Sequence, residues 1–319
     1  MINILITGGA GFIGSHLVDR LVGDDGFHVT VLDDFNDFYD PAIKRSNIST
    51  HLGRNNFELV EGDITDSNMI NDLFRRDRFD YVVHLAARAG VRPSLENPLG
   101  YENTNVRGTY TLLEAARNNG VSKFIFGSSS SVYGTNSRVP FSEDDPISNP
   151  ISPYAATKIA GEAACHAYSH LYDMKVVCLR FFTVYGARQR PDLAIHKFAR
   201  LISQGRSIPM FGAGTTRRDY TYIDDIISGL LAALRFEASN FEIFNLGESQ
   251  TVELRELVAL LEKALGKRAS IDYQPLQAGD VPVTYADIGK ARSLLGYEPR
   301  TQIEEGIERF VKWFKQQGS

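Results

Sequence analysis

Residues 2–14 of the chain, INILITGGAGFIG, contain an apolar run that ends at Thr7 and then a loop with glycines at 8, 11 and 14, spaced by three residues. Apolar residues at positions 12, 13, 17 and 21 recur at helical spacing after this loop. A strand, a glycine turn and a helix let backbone N–H groups and the helix N-terminus approach a pyrophosphate without obstruction by a Cβ atom. We therefore predict a dinucleotide-binding loop, rather than a tight turn without a ligand, with contacts from Gly8, Gly11, Phe12, Ile13 and Gly14.

The first half of the chain continues this alternation of strand and helix. Near-continuous apolar runs occupy 27–33, 57–61, 79–85, 123–126 and 175–182, with segments of helical length between them. Strands that are apolar on both sides are typical of a parallel sheet covered by helices on both faces. Residues 1–180 are therefore predicted to form a Rossmann-type, doubly wound α/β domain that binds the cofactor.

The second half changes in composition after Phe182, where glycine, proline and arginine become frequent. A predicted helix at 223–236 and a predicted strand at 241–246 return to the first domain, so we assign 219–245 to it. Helical periodicity recurs at 252–265 and 304–313. We predict that 181–218 and 246–319 form a smaller, discontinuous α/β domain for the substrate.

The charge balance excludes several classes of partner. The 319 residues include 34 Lys and Arg against 39 Asp and Glu, a formal net charge of -5, and the basic residues form no run. Nucleic acids and anionic membranes attract basic patches, and a membrane span needs about 20 apolar residues, so we expect neither partner. Two cysteines make no disulfide framework and the histidines are scattered, which predicts a cytoplasmic protein without a metal site.

Acidic residues follow two of the predicted strands. Asp33 lies 19 residues after Gly14, a spacing at which a carboxylate accepts hydrogen bonds from an adenosine ribose and repels a 2′-phosphate. This position predicts NAD rather than NADP, and the alternative is a solvated turn formed with Asp34. At the end of the third strand, Asp63 and Ile64 either contact the adenine or cap the strand.

A tyrosine and a lysine lie four residues apart in the segment SPYAATK, residues 152–158. A serine N-cap and a proline at the first helical position predict that Tyr154 and Lys158 share one helix face. An ammonium group and an oxidised nicotinamide both favour phenolate over phenol and lower the tyrosine pKa, so Tyr154 is a candidate general base. Ser129 is the predicted third member, because it follows a strand and its hydroxyl can share the proton.

These motifs together resemble the extended short-chain dehydrogenase/reductase family, in its nucleotide-sugar branch. The resemblance covers nearly the whole chain and includes TGGAGFIG at 7–14, VVHLAA at 82–87, SSSSVYG at 128–134, Tyr154 with Lys158, and RRDYTYIDD at 217–225. Within the branch, FNDFYDPAIKR at 35–45, RAGVRPSLENP at 88–98 and RFFTVYGARQRPD at 180–192 are most similar to UDP-glucuronate 4-epimerases. The resemblance implies bound NAD, cofactor contacts from Leu85, Ala86 and Ala87, a UDP-sugar substrate and a homodimer.

The type of reaction is implied by residues that this chain lacks. Family members that eliminate water carry an Asp-Glu pair before Val-Tyr-Gly, and UDP-glucuronate decarboxylases carry a Glu there, whereas this chain has Ser130 and Ser131. Without a further carboxyl acid or base, the simplest outcome is oxidation at C4, rotation of the 4-keto sugar and return of the hydride. We predict interconversion of UDP-glucuronate and UDP-galacturonate. A UDP-glucose 4-epimerase, a UDP-glucuronate decarboxylase and an inactive nucleotide sensor are the alternatives.

A uronate substrate needs donors for its carboxylate, because a 4-keto uronate that turns freely loses CO₂. Ser130, Ser131 and Thr183 are the predicted neutral donors, and Arg190 is the predicted charged one, with Arg188 as its competitor.

For the UDP group, the resemblance places Arg218 at the pyrophosphate, Phe211 near the uracil and Asp280 on the uridine ribose. The family often has a second arginine where this chain has Gln277. Arg217 or Arg292 is then the predicted substitute.

Overall fold

The computed structural model describes residues 1–136, 138–275 and 281–318. The strands in these ranges are β1 Ile2–Thr7, β2 Phe27–Asp33, β3 Phe57–Glu61, β4 Tyr81–His84, β5 Lys123–Ser129, β6 Lys175–Phe181, β7 Thr183–Tyr185, β8 Ile208–Phe211, β9 Arg217–Arg218, β10 Tyr220–Tyr222, β11 Phe241–Leu246, β12 Val252–Glu253 and β13 Ile271–Gln274. The α-helices are α1 Phe12–Val22, α2 Pro41–Ile48, α3 Ser67–Asp77, α4 Val91–Glu96, α5 Pro98–Glu102, α6 Gly108–Asn118, α7 Pro153–Tyr172, α8 Ala194–Ser203, α9 Ile223–Arg235, α10 Leu254–Leu265, α11 Gly289–Leu295 and α12 Ile303–Gln316. One π-helical turn spans Asn103–Arg107, and 3₁₀ turns span Ser49–His51 and Ser130–Tyr133.

Within the described ranges, seven strands form one sheet in the order β11-β6-β5-β4-β1-β2-β3. Every neighbouring pair in this sheet is parallel. The chain proceeds outward from β1 in one direction and from β4 in the other, so the order reverses between these two strands. In doubly wound sheets, ligands bind at the carboxyl ends of the strands at such a switch point. The predicted α/β fold is confirmed, and β11 occupies the predicted range 241–246.

The sheet is buried on both faces because successive side chains of each strand enter opposite helical layers. In β1, Ile4 and Ile6 pack in the core cluster that includes α1 and α9, whereas Leu5 packs in the cluster that includes α3, α6 and α7. All three side chains are fully buried. This double burial is the physical reason for the continuous apolar runs in the sequence.

Two predicted boundaries differ from the structure for reasons of pairing. The predicted helix at 252–265 begins at Leu254, because Val252 and Glu253 pair with β9. The apolar run at 123–126 continues as β5 to Ser129, because the last three residues of this strand pair with β6. The hydroxyl residues after the run are therefore the end of a central strand.

A buried ion pair connects α7 to β6 behind this strand end. The Arg180 side chain is 2% exposed and that of Glu162 3% exposed. Arg180 Nε donates to Glu162 Oε1 at 2.9 Å, and Nη2 donates to Oε2 at 2.8 Å. Ser128 also donates to Glu162, at 2.5 Å, and Arg180 Nη1 donates to Tyr133 at 3.0 Å. A buried charge that keeps all its partners is tolerated, whereas one that loses its partner is strongly destabilising.

We predict that Glu162→Gln lowers the free energy of unfolding by about 3–5 kcal/mol, because it leaves the Arg180 guanidinium without a counter-charge inside the protein. Glu305→Gln is the matched control, since Glu305 pairs with Arg309 on the surface and both side chains are about half exposed. The control is expected to change stability by less than about 0.5 kcal/mol. Urea unfolding of both variants provides the comparison, and equal losses would contradict the prediction.

Candidate active site

The glycine loop after β1 is packed closely against the loop after β4. Gly8 has a φ of +69°, and a Cβ atom there would lie 2.7 Å from the backbone nitrogen of Ala86. A Cβ atom at Gly14 would lie 2.3 Å from the carbonyl oxygen of Gly8. Both contacts are to backbone atoms that cannot move aside. Glycine at these two positions therefore leaves the N-terminal turn of α1 accessible beside β4, as the binding of a pyrophosphate requires.

Asp33 ends β2 beside this loop and is 6% exposed. Its carboxylate accepts hydrogen bonds from the N–H groups of Ala10, at 3.1 Å, and Phe35, at 3.0 Å. Lys44 Nζ lies 3.8 Å from Asp33 Oδ1. Burial raises the pKa of Asp33, and the charge of Lys44 opposes this effect. Sequence reasoning missed Lys44, whose only signal was its place in the segment 35–45.

The three predicted catalytic side chains come together at the ends of β5 and α7. Tyr154 hydrogen-bonds with Ser129, and Lys158 Nζ lies 6.0 Å from the centre of the Tyr154 ring. Lys158 donates to the carbonyl of Gly127 at 2.6 Å. The sequence predicted this cluster from a spacing and a strand end, and the structure brings its members together.

Burial dominates the electrostatics of the cluster. It raises the pKa of Tyr154, while the hydrogen bond with Ser129 and the charge of Arg190 oppose this effect. Burial also lowers the pKa of Lys158 to about 8, although the Glu162 carboxylate opposes that change. Among the protein's own groups, desolvation of the phenolate is the larger effect, and the predicted lowering of the Tyr154 pKa, which needs an oxidised nicotinamide as well, stays a prediction. Positive charge near Tyr154 is therefore needed for it to act as a base.

A chain of buried hydrogen bonds leads from the glycine loop toward the tyrosine helix. Thr7 Oγ1 lies 2.8 Å from His84 Nδ1, and His84 Nε2 lies 3.0 Å from Thr109 Oγ1. Because the Thr109 hydroxyl donates to the Asn105 carbonyl at 2.6 Å, it accepts from His84, and Nδ1 is then the acceptor from Thr7. Burial lowers the pKa of His84 to about 3, so the ring is neutral at physiological pH.

Asn105 itself lies in the π-helical turn and connects two segments of the site. Its side chain exchanges hydrogen bonds with the backbone of Arg88, at 2.8 and 2.9 Å, and donates to Thr157 at 3.0 Å. The Thr157 hydroxyl in turn donates to the carbonyl of Tyr154 at 2.8 Å. Asn105 therefore positions the loop at Arg88 relative to the start of α7.

Arg190 lies in the loop after β7 and lines the same cavity as Tyr154 and Thr183. Its guanidinium interacts electrostatically with Tyr154. The competing donor, Arg188, instead pairs with Asp19 of α1 at 2.8 Å and is not among the cavity-lining residues. Of the two arginines, the structure brings only Arg190 to the cluster.

A second group of basic side chains lies beyond the catalytic cluster. Arg218 lines the cavity, and its Nη1 donates to the Arg217 carbonyl at 2.9 Å. The Arg92 guanidinium stacks over Phe211, 4.6 Å from the ring centre. Arg92 was missed, although it lies in the segment 88–98 on which the resemblance rests.

The proposed substitutes for a second phosphate contact lie elsewhere. The guanidinium of Arg217 donates to the side chain and the carbonyl of Thr251, and neither Arg217 nor Arg292 lines the cavity. The predicted residues Asp280 and Gln277 fall outside the described ranges.

One cavity of about 570 Å³ connects these groups. The predicted site residues that line it are Gly8, Gly11, Phe12, Ile13, Gly14, Asp33, Asp63, Ile64, Leu85, Ala86, Ala87, Ser129, Tyr154, Lys158, Thr183, Arg190, Phe211 and Arg218. Ser130 and Ser131 are not among the lining residues. They begin a 3₁₀ turn in which the Ser129 hydroxyl donates to the Ser131 hydroxyl at 3.1 Å, so their contact with a carboxylate stays a prediction.

The described ranges offer neither a membrane-spanning helix nor a metal centre. No helix there has both the length and the hydropathy that crossing a membrane requires. No group of three or more His, Cys, Asp or Glu side chains among those residues is placed to hold a metal ion.

The chain matches known proteins over almost its whole length. The family model described as GDP-mannose 4,6 dehydratase matches residues 5–310. UDP-glucuronate 4-epimerase 4 of Arabidopsis thaliana is 43% identical over 330 residues, which cover 98% of this chain and 75% of that protein.

Solved structures extend the similarity to the fold. The UDP-glucuronic acid 4-epimerase of Bacillus cereus, in complex with UDP-glucuronic acid and NAD, has a TM-score of 0.93 and 38% identity, with 99% of this chain and 100% of that chain covered. The UDP-glucose 4-epimerase of Thermotoga maritima, with UDP-glucose, has a TM-score of 0.91 and 36% identity, with both chains fully covered. This chain therefore belongs to the GDP-mannose 4,6 dehydratase family, in the nucleotide-sugar branch of the extended short-chain dehydrogenases/reductases.

Proposed function

We propose that this protein is a NAD-dependent 4-epimerase that interconverts UDP-glucuronate and UDP-galacturonate. The observation that carries the proposal is the position of Arg190, whose guanidinium lies in the same cavity as Tyr154 and acts on it electrostatically. A hexuronate presents a carboxylate to such a cation, whereas a neutral hexose does not. The B. cereus epimerase, which is 38% identical and was crystallised with UDP-glucuronic acid and NAD, supports the same substrate and cofactor.

The glycine loop suits a dinucleotide. Cβ atoms at Gly8 and Gly14 would collide with backbone atoms, so only glycine lets this loop pack against the loop after β4 and leave room for the cofactor. We propose that NAD is held by Gly8, Gly11, Phe12, Ile13, Gly14, Asp33, Asp63, Ile64, Leu85, Ala86, Ala87, Tyr154 and Lys158. When bound, NAD supplies reversible hydride acceptance. The carboxylate of Asp33, held by two backbone N–H groups, disfavours a 2′-phosphate at this position.

Tyr154 is the proposed general base and acid. Its phenol oxygen takes the proton of the C4 hydroxyl when the sugar is oxidised and returns a proton to that oxygen when the sugar is reduced. Ser129 shares this proton through its hydrogen bond with Tyr154. The ammonium group of Lys158 and the guanidinium of Arg190 supply the positive charge that offsets the effect of burial on the Tyr154 pKa.

The remainder of the cavity holds the UDP-sugar in this proposal. Arg218 contacts the pyrophosphate, with Arg92 as the second cation, and Phe211 lies near the uracil. Thr183 and Arg190 hold the uronate carboxylate together with Ser130 and Ser131, and Asp280 binds the uridine ribose. A held carboxylate keeps the C5–C6 bond from aligning with the C4 carbonyl, which suppresses loss of CO₂.

The T. maritima structure with UDP-glucose makes UDP-glucose 4-epimerase the second candidate function. A neutral hexose would leave the charge of Arg190 unused by the substrate. A decarboxylase is disfavoured because Ser131 stands where that activity uses a glutamate. An inactive nucleotide sensor would not need the contact between Tyr154 and Ser129.

We further propose that 1–180 with 219–245 binds the cofactor and that 181–218 with 246–319 binds the UDP-sugar. A homodimer is proposed on the exposed apolar side chains of α4–α7, which are Leu95, Leu99, Tyr110, Leu171 and Tyr172. A cytoplasmic location is consistent with the two free, buried cysteines.

The first test is product analysis with the purified, NAD-loaded protein. We expect UDP-glucuronate to be converted to UDP-galacturonate with no accumulation of NADH, since the hydride leaves and returns to the same carbon. Chromatography of the nucleotide sugars and absorbance at the NADH band give the two readouts, with UDP-glucose as a parallel substrate. Preferential turnover of UDP-glucose, a pentose product or stoichiometric NADH would each reject the proposal.

Tyr154→Phe is expected to lower kcat by about 10³-fold while the fold persists, because the ring remains and only the ionisable oxygen is removed. Tyr168→Phe is the matched control, since Tyr168 lies on the same helix and its hydroxyl contacts Glu114 outside the cavity. Steady-state kinetics and circular dichroism of both variants test the assignment. A near-normal kcat for Tyr154→Phe would show that another group is the base.

Arg190→Ala is expected to lower kcat/KM for UDP-glucuronate by about 10- to 100-fold, the loss expected when a charge-assisted hydrogen bond is removed. Activity on UDP-glucose should change little, and a pentose side product should appear because the carboxylate is held less firmly. Arg188→Ala controls for damage to the shared loop. Equal losses on both sugars would assign Arg190 to the phosphates or to loop folding.

A further inference from the structure

The guanidinium of Arg190 is already paired inside the cavity. Its Nε donates to Asp192 Oδ1 at 3.0 Å, and its Nη2 donates to Asp192 Oδ2 at 2.8 Å. Two parallel N–H···O bonds of this kind form the bidentate geometry that arginine also makes with a ligand carboxylate. The Nε and Nη2 donors of Arg190, which suit a uronate carboxylate, are therefore already bound to a carboxylate of the protein.

The loop that carries both residues is anchored by its own buried contacts. Gln189 is 3% exposed, donates to the Val184 carbonyl at 3.2 Å and accepts from the His196 N–H at 3.2 Å. His196 Nδ1 lies 2.6 Å from the Gln189 carbonyl. These contacts hold the backbone beside Arg190, so the loop can keep its shape when the pair with Asp192 opens.

Aromatic rings also lie beside the Arg190 guanidinium. Its guanidinium lies 5.1 Å from the centre of the Phe38 ring, and its remaining electrostatic partners include the phenols of Tyr39 and Tyr154. The Arg190 side chain is 16% exposed and that of Asp192 is 41% exposed. The cation is thus enclosed by rings, whereas its counter-ion lies at the more open side, where it can move aside.

We propose that Asp192 is a specificity-determining residue, whose carboxylate competes with the carboxylate of a bound uronate for the Nε and Nη2 donors of Arg190. This inference rests on the proposed function, because it assigns the occupant of Arg190 in the presence of UDP-glucuronate. A uronate exchanges one carboxylate for another on the same donors, so the buried cation stays paired throughout. A neutral hexose leaves the pair of Arg190 and Asp192 closed.

The proposal makes Asp192 a limit on affinity for the uronate. The substrate carboxylate must displace Asp192 from Arg190, and this displacement weakens binding. An amide at this position offers one oxygen and no charge, so it holds the Nε and Nη2 donors of Arg190 less strongly. Replacing Asp192 should therefore change the affinity for UDP-glucuronate alone, and only while Arg190 is present.

The test is a double-mutant cycle on binding, measured by isothermal titration calorimetry with the NAD-loaded protein in a Tyr154→Phe background that prevents turnover. We expect Asp192→Asn to lower the Kd of UDP-glucuronate by about tenfold, the scale of one charge-assisted interaction. The Kd of UDP-glucose should stay within about twofold. In an Arg190→Ala background, the same Asp192→Asn change should have no effect on either sugar.

Two variants keep the result interpretable. Asp19→Asn opens a comparable arginine–carboxylate pair outside the cavity, between Asp19 of α1 and Arg188 of the same loop as Arg190, and it should leave both Kd values unchanged. Asp192→Ser repeats the loss of charge with a smaller side chain if the asparagine variant does not fold.

Equal changes for the two sugars, weaker binding of UDP-glucuronate, or an effect that persists without Arg190 would each overturn the proposal. Product analysis of the unmodified enzyme tests the proposed function separately. An enzyme that forms no UDP-galacturonate but shows the expected cycle would lose the epimerase assignment and keep Asp192 as a determinant of uronate binding.

Discussion

The backbone contact between Gly8 and Ala86 is the constraint on which the rest of the site depends. It brings the loop after β1 against the loop after β4 at the point where the strand order of the sheet reverses. The N-terminus of α1, the end of β2 and the end of β5 then face one cavity. A side chain at Gly8 would separate the two loops and with them the phosphate and catalytic ends of the site.

Burial sets the electrostatics of the cavity that this contact creates. It raises the pKa of Tyr154 above its ordinary value of 10.0 and lowers the pKa of Lys158 from 10.5 to about 8, so it moves the two pKa values apart. Burial thus disfavours the charged form of each group. Two cations of the cavity are meanwhile paired with carboxylates, Lys44 with Asp33 and Arg190 with Asp192.

Much of the fold and of the cofactor end of the site could be predicted, because they depend on local pattern. Continuous apolar runs indicated a sheet buried on both faces, and β11 lies where a strand was predicted. Tyr154, Lys158 and Ser129 were found from a helix start and a strand end. The size of the desolvation effect on Tyr154 could not be predicted, since it depends on what the rest of the chain packs around the phenol.

The sequence by itself determined the α/β class, the glycine loop and the family, because each depends on residue type and on short-range spacing along the chain. The tertiary structure decided which charged groups meet. It placed Arg190 rather than Arg188 at Tyr154 and brought Arg92 to Phe211. Pairing of charges depends on distances of a few ångströms between segments far apart in the chain, and no local pattern in the sequence encodes those distances.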